Sequence, residues 1–208
     1  MTTRKNHNNT VTHRIRTGIY GGSFNPIHQG HTLLGEWLCR EGFVDELWFL
    51  VSPQNPFKVN ADNLLPDELR LHLTNLAVEE SDTLKVSDFE MHLPRPSYMV
   101  NTLSHLRQTY PQREFILVIG ADNWHRFGAW KDSEDILHHH HIIIYPREGF
   151  PIDVSALPSG VTLAQDAPLF DISSTDIRKA IAEGTCNGEW LSPAVWEEIK
   201  SKGFYSSK

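Results

Sequence analysis

Residues 15–31 read IRTGIYGGSFNPIHQGH, an apolar stretch that ends in a glycine pair and continues into a polar segment with two histidines. The alternating apolar residues predict a short strand over Ile15–Gly22. The segment from His28 to Arg40 places Leu33, Leu34, Trp37 and Leu38 on one face, which predicts a helix. A strand that turns through glycines directly into a helix is typical of the first unit of a parallel α/β sheet.

The rest of the chain continues this alternation of strands and helices. Apolar runs predict strands at Leu47–Val51, Leu84–Phe89, Phe115–Ile119, His141–Tyr145 and Val161–Ala164. Helical spacing predicts helices at Pro66–Glu80, at Ser97–Tyr110 with Ser97 as the N-cap, at Ser174–Glu183 and at Pro193–Lys202. Because such alternation builds right-handed βαβ units, we predict an α/β fold with a doubly wound, mostly parallel sheet and a small C-terminal helical segment.

Length and composition indicate one globular domain. The chain has 208 residues, of which 39% are hydrophobic, and we predict a single domain over residues 15–208. Residues 1–14 are polar and aperiodic, which predicts a disordered tail. The net charge of −7 argues against binding to a nucleic-acid backbone, because that needs a basic face.

Targeting and redox signals favour a cytoplasmic protein. No apolar run approaches the ~20 residues of a membrane-spanning helix, and the polar N-terminus lacks the apolar core of a secretory signal. Cys39 and Cys186 lie far apart and are expected to be reduced thiols. The histidines at 138–141 have no further ligands spaced for a metal, so no protein metal site is predicted.

The segment Gly21–His31 is suited to binding phosphate. Its glycines let the backbone approach a ligand closely, and the start of the next helix presents free N–H groups. His28 and His31 are three residues apart, so on a helix they share one face and can donate hydrogen bonds to phosphate oxygens. A histidine pair at this spacing could equally lie on a solvated helix surface.

A second candidate phosphate segment, Ile172–Arg178, reads ISSTDIR and opens a helix near the C-terminus. Ser173 and Asp176 have the spacing of a capping arrangement, so the segment could simply be a well-capped helix. The same helix start also leaves amides and hydroxyls for a phosphate, and Arg178 adds a cation that can form paired hydrogen bonds.

Together the two segments resemble the nucleotidylyltransferase superfamily. Gly21–His31 is similar to its GGxFDPxHxGH signature, with Asn25 where aspartate is usual, and Ile172–Arg178 is similar to its ISSTxIR motif. The resemblance implies a Rossmann-like nucleotidylyltransferase fold in which both segments converge on the β- and γ-phosphates of ATP.

Three segments between the motifs resemble bacterial nicotinate-nucleotide adenylyltransferases. Ser52–Lys58 matches a PxxNPxK loop, and Arg95–Leu103 is similar to RxxSYTxxTL, with Met99 in place of threonine. Ile119–Trp130 is similar to the IGxD…F…W segment. The resemblance extends over about residues 16–205, which is nearly the whole chain.

The resemblance implies adenylyl transfer from ATP to nicotinic acid mononucleotide, giving nicotinate adenine dinucleotide and pyrophosphate in NAD biosynthesis. The implied catalytic residues are His28, His31, Lys58 and Arg178. The implied ATP-binding residues are Gly21, Gly22, Ser23, Phe24, Asp122, Ile172, Ser173 and Ser174. The implied acceptor-binding residues are Ser97, Tyr98, Asn123 and Trp130, the last as a flat wall against the pyridinium ring.

The implied ligands are small molecules. Mg²⁺ is expected on the triphosphate, held mainly by phosphates and water. ATP and nicotinic acid mononucleotide are the expected partners, without nucleic acid or membrane, and a homo-oligomer stays open. Two alternatives also stay open, namely a nucleotidylyltransferase with another acceptor (nicotinamide mononucleotide or phosphopantetheine) and a nucleotide sensor without turnover.

Overall fold

The computed structural model describes residues 14–53 and 64–207. Its six strands are β1 (Ile15–Gly22), β2 (Glu46–Val51), β3 (Leu84–Ser87), β4 (Arg113–Gly120), β5 (Ile142–Tyr145) and β6 (Val161–Leu163). The helices of the described part are α1 (Gln29–Arg40), α2 (Asp67–Val78), α3 (Met99–Thr109), α4 (Ala121–Trp124), α5 (Ser133–His139), α6 (Ser174–Ala182) and α7 (Pro193–Lys202). Short 3-10 helices lie at Phe89–His92, Phe127–Ala129 and Val154–Ala156.

The strands form one parallel sheet in the order β3-β2-β1-β4-β5-β6. The chain builds outward from β1 to β3 and then crosses back to place β4 on the other side of β1. The strand order therefore reverses between β1 and β4, and ligands of such sheets bind beyond the carboxyl ends of the strands at this point. The predicted doubly wound parallel sheet is confirmed.

The core lies on both faces of this sheet. All six residues of β2 and the last six of β4 are buried, so these strands read as continuous apolar runs in the sequence. One face packs against Leu34 and Leu38 of α1, and the other packs against Leu103 and Leu106 of α3. This burial on both faces is why the sequence revealed the central strands so clearly.

Several local predictions were wrong. Ser97 is not an N-cap: α3 begins at Met99 with Tyr98 in the N-cap position, and the Ser97 hydroxyl points to a buried carboxylate. The third strand ends at Ser87, before the 3-10 turn, rather than at Phe89. The single turn of α4 was not predicted, because four residues are too few to show helical periodicity.

The predictions for residues 1–13 and for Lys58 lie outside the described residues. The single-domain assignment stays a prediction. Within residues 14–53 and 64–207, no helix is both long enough and apolar enough to cross a bilayer.

Candidate active site

The two predicted phosphate segments lie in direct contact. Ser174 Oγ donates a 2.8 Å hydrogen bond to the carbonyl of Pro26, which is 148 residues away in the sequence. Arg178 Nη1 donates a 2.8 Å bond to the carbonyl of Asn25. The N-terminus of α6 is thereby fixed beside the turn that follows β1, at the carboxyl edge of the sheet.

Glycines in the first segment make room for two rings. A Cβ added to Gly22 would lie 2.9 Å from the Phe24 ring, and one added to Gly30 would lie 3.1 Å from the His28 ring. The Phe24 side chain is buried and packs edge-on against Tyr20, so only its backbone is left for the predicted ligand contact, which stays a prediction. The Phe24 ring lies against Gly22 and supports the turn there.

The two histidines stack on each other at the start of α1. Their ring centroids are 3.7 Å apart with an interplanar angle of 29°. The backbone N–H of His28 donates to Nδ1 of His31 at 3.2 Å, which places the His31 proton on Nε2. His28 is buried, and its Nδ1 has no hydrogen-bond partner among the described residues.

Both histidines are neutral near pH 7. Burial, with a smaller contribution from the positive charge of Arg147, lowers the pKa of His28 to about 4. Burial, together with His28 and Arg147, holds the pKa of His31 well below its ordinary value. The pair therefore offers uncharged N–H donors to a ligand rather than fixed positive charge.

Arg147 is a site residue that the sequence reasoning missed. It lies two residues after the end of β5, and its Nη2 donates to the Tyr145 hydroxyl at 3.2 Å while the guanidinium lies 5.1 Å from the Tyr145 ring centroid. That hydroxyl is also 2.9 Å from the hydroxyl of Tyr20 in β1. Its place just after a buried strand near the switch point was the available signal.

Asp122 stands at the carboxyl end of β4, in the first turn of α4. Its Oδ1 is buried without a hydrogen-bond partner among the described residues, and Arg147 Nε lies 3.9 Å from it. Nη2 of Arg126 lies 3.9 Å from the other carboxylate oxygen. A buried carboxylate oxygen at the switch point that has no hydrogen bond is able to accept one from a ligand hydroxyl group.

The hydroxyls of the second segment are used within the protein. Ser173 Oγ accepts from the Asp176 backbone N–H at 3.1 Å, which confirms the predicted cap, and it donates to the Asp176 carboxylate. The Ser174 hydroxyl donates its hydrogen bond to the Pro26 carbonyl, as described above. Because a serine hydroxyl has one proton to donate, neither hydroxyl is a free donor in this arrangement, and their donation to phosphate stays a prediction. The backbone N–H groups at the start of α6 remain as donors.

Asn25 replaces the usual aspartate without losing its acceptor function. Its Oδ1 accepts hydrogen bonds from the Leu65 backbone N–H at 3.2 Å and from the Tyr205 hydroxyl at 2.8 Å. The residue is only 6% exposed, so a neutral amide avoids the cost of burying a charge there.

Arg70 is a second residue that the sequence reasoning missed, and it supports the backbone of the site through hydrogen bonds to carbonyl groups. It is fully buried in α2, and its Nη1 donates to the carbonyls of Ser23 at 2.6 Å and Ser52 at 3.0 Å. Its Nη2 pairs with Asp67 at 2.6 Å. The arginine therefore ties the first phosphate segment to the end of β2.

Glu90 organises the loop that contains Ser97 and Tyr98. This carboxylate is 2% exposed and accepts hydrogen bonds from Ser52 Oγ at 2.6 Å, Thr102 Oγ1 at 2.8 Å and Ser97 Oγ at 3.3 Å. The hydroxyl of Ser97, which is predicted to bind the acceptor, thus donates its hydrogen bond to Glu90 and fixes its own loop. Three hydrogen bonds to one buried carboxyl group hold this loop in place.

The other residues predicted to bind the acceptor lie on or near this loop. Tyr98 is partly buried at the N-cap of α3, and Asn123 lies in α4. The Trp130 ring packs 5.4 Å from that of Phe127, and Lys131 Nζ sits 4.6 Å from the centroid of the Tyr98 ring. Lys131 therefore joins the segments that contain Tyr98 and Trp130.

The residues present fit a magnesium ion held by phosphates and water. In the described part of the chain, no group of three or more His, Cys, Asp or Glu side chains could form a cage for a metal. Asp122 is a carboxylate at the switch point, and its Oδ1 accepts no hydrogen bond from the described residues. An ion that retains its waters and the triphosphate oxygens needs at most one or two such protein ligands.

Comparison with known proteins identifies similar chains. Residues 19–180 match the cytidylyltransferase-like family model. A nicotinate-nucleotide adenylyltransferase of Bacteroides fragilis is 53% identical over 89% of this chain and 92% of its own length, and one of Bacteroides thetaiotaomicron is 51% identical over 91% and 93%. A Plasmodium falciparum nicotinic acid mononucleotide adenylyltransferase, solved with NaAD, has the same fold with a TM-score of 0.78 at 21% identity, over 92% of this chain and 97% of that one.

Proposed function

This chain belongs to the nicotinate-nucleotide adenylyltransferase family, and on that basis we propose how its residues carry out the reaction. The enzyme transfers the adenylyl group of ATP to nicotinic acid mononucleotide, releasing pyrophosphate and nicotinate adenine dinucleotide in NAD biosynthesis. The observation that supports the residue roles best is the contact of both phosphate segments beside a neutral histidine pair at the switch point.

The acceptor needs no general base. Its 5′-phosphate is a dianion for much of the time at neutral pH, since the second pKa of a phosphate monoester is about 6. Catalysis then consists of positioning two anions for in-line attack on the α-phosphorus and stabilising the charge on pyrophosphate. Nε2 of His31, and a ring nitrogen of His28, donate hydrogen bonds to phosphate oxygens.

Fixed positive charge comes from arginines at the rim of the site. Arg147 faces the histidines from β5 and is proposed to contact the triphosphate. Arg178 has donors beyond those used on Asn25 and Thr175, and it is proposed to act on the β/γ end together with the N-terminal amides of α6. Lys58 is proposed as a further cation for the leaving group. When bound, Mg²⁺ would neutralise phosphate charge, and Asp122 is the residue proposed to face it or a ribose hydroxyl.

The acceptor side is proposed to hold the pyridine ring between the Tyr98 loop and Trp130. Asn123 is proposed as a polar contact to the mononucleotide. Ser97 acts indirectly, because its hydroxyl is bound to Glu90 and keeps the loop in position. A cytoplasmic location is proposed from this activity and from the two free cysteines.

Pyrophosphate release tests this proposal. The protein is incubated with ATP and Mg²⁺, and nicotinic acid mononucleotide, nicotinamide mononucleotide and phosphopantetheine are supplied in parallel. We expect release with the acid to exceed release with the other two acceptors. Release with another acceptor alone would overturn the acceptor assignment, and ATP binding without release would favour a sensor.

A further inference from the structure

Lys131 presents its positive charge on the acceptor side of the site. It follows Trp130 and precedes Asp132, whose φ of 51° turns the chain into α5. Its Nζ lies 4.6 Å from the centroid of the Tyr98 ring, close enough for a cation–π contact. Among the residues that the structure describes, no carboxylate forms an ion pair with this ammonium. The Tyr98 face therefore holds the charge near the site without neutralising it.

The two pyridine mononucleotides differ in charge where they meet this lysine. Both carry a cationic pyridinium ring, but nicotinic acid mononucleotide also carries a carboxylate that makes its head group neutral overall. The nicotinamide compound has a carboxamide, so its head group keeps a positive charge. A fixed cation beside the ring attracts the carboxylate of the first and repels the second.

We infer that Lys131 is a specificity-determining residue that selects the carboxylate form of the acceptor over the amide. The inference rests on the proposed function, because it requires the pyridine ring to lie between Tyr98 and Trp130. The lysine acts through attraction for one acceptor and repulsion of the other, and both contribute to discrimination. Because Lys131 is exposed to water, each contribution is modest, and we expect it to account for about a three- to tenfold preference.

Lys131→Gln tests the inference in the full-length protein. Steady-state kinetics at saturating ATP and Mg²⁺ give KM and kcat for nicotinic acid mononucleotide and nicotinamide mononucleotide separately. We expect the KM for the acid to rise by about three- to tenfold, with kcat retained and with the KM for the amide unchanged or lower. Lys131→Arg should keep the acid preference. Lys202→Gln, at the end of α7, is the matched control and should leave all values unchanged.

The dependence of the acid preference on ionic strength distinguishes an electrostatic role of Lys131 from a purely structural one. Raising the ionic strength should reduce the acid preference of the wild type toward that of Lys131→Gln and should have little effect on the variant. An acid-to-amide ratio equal to that of the wild type in Lys131→Gln would overturn the inference. An equal loss for both acceptors would do the same. Failure of the proposed function gives a different result. The wild type itself would then show no turnover with the acid, and this outcome would overturn both the proposed function and the inference about Lys131.

Discussion

Acidification from pH 7 to pH 5 should destabilise this protein through His28, and substitution of that residue by glutamine should remove part of the effect. Burial lowers the pKa of the folded-state imidazole to about 4 from an ordinary 6.5. Protons therefore bind the unfolded chain preferentially between these two values. The stability that comes from the neutral, buried ring is fully present above pH 6.5 and is lost as the pH falls toward 4.

The two pKa values set the magnitude. A difference of 2.5 units corresponds to about 3 kcal/mol once the pH is below both values. At pH 5 the unfolded histidine is almost fully protonated and the folded one is still mostly neutral, so the loss relative to pH 7 is about 2 kcal/mol. For a chain of this length, that corresponds to a fall in Tm of roughly 4–8 °C.

Denaturant unfolding at pH 7 and pH 5 measures this effect. The change in unfolding free energy between the two pH values is compared for wild type, His28→Gln and His105→Gln, the last on an exposed face of α3. Each protein serves as its own reference, so a constant loss of stability in a variant cancels. We expect His28→Gln to lose about 2 kcal/mol less than wild type on acidification and His105→Gln to behave like wild type. An equal pH dependence in wild type and His28→Gln would refute the reasoning.

Three further substitutions test the site. His31→Ala should retain the fold by circular dichroism but lower kcat by about 10²–10³-fold, because it removes a donor to the reacting phosphates; near-normal turnover would contradict that role. Arg70→Met should lower Tm by roughly 6–20 °C, because it leaves Asp67 and buried carbonyls without their partner at a cost of about 3–5 kcal/mol; an unshifted melting curve would show that these hydrogen bonds contribute little. Ser174→Ala should raise the KM for ATP several-fold and leave the KM for the acceptor unchanged, because it loosens α6 from the first phosphate segment; equal changes in both would contradict this placement.

The features that the sequence determined by itself are those encoded by neighbouring residues. Strands buried on both faces appear as uninterrupted apolar runs, and for this reason β2 and β5 were predicted to within one residue and β4 to within two. The pairing of Ser173 with Asp176 was also predictable, because a helix cap spans only one turn. The superfamily followed from two local motifs and the reaction from three short segments between them, since each is a run of neighbouring residues.

The tertiary structure alone decided how polar groups from distant segments are paired. Nothing near Arg70 in the sequence indicates that it lies in the core, because the carbonyls of Ser23 and Ser52 that stabilise its charge come from other elements. The hydrogen bond from Ser174 to the Pro26 carbonyl joins residues 148 positions apart, so only the fold could show it. The low pKa of His28 likewise depends on burial and on the approach of Arg147. Hydrogen bonding and desolvation depend on distances in space, and a linear sequence specifies those distances only through the completed fold.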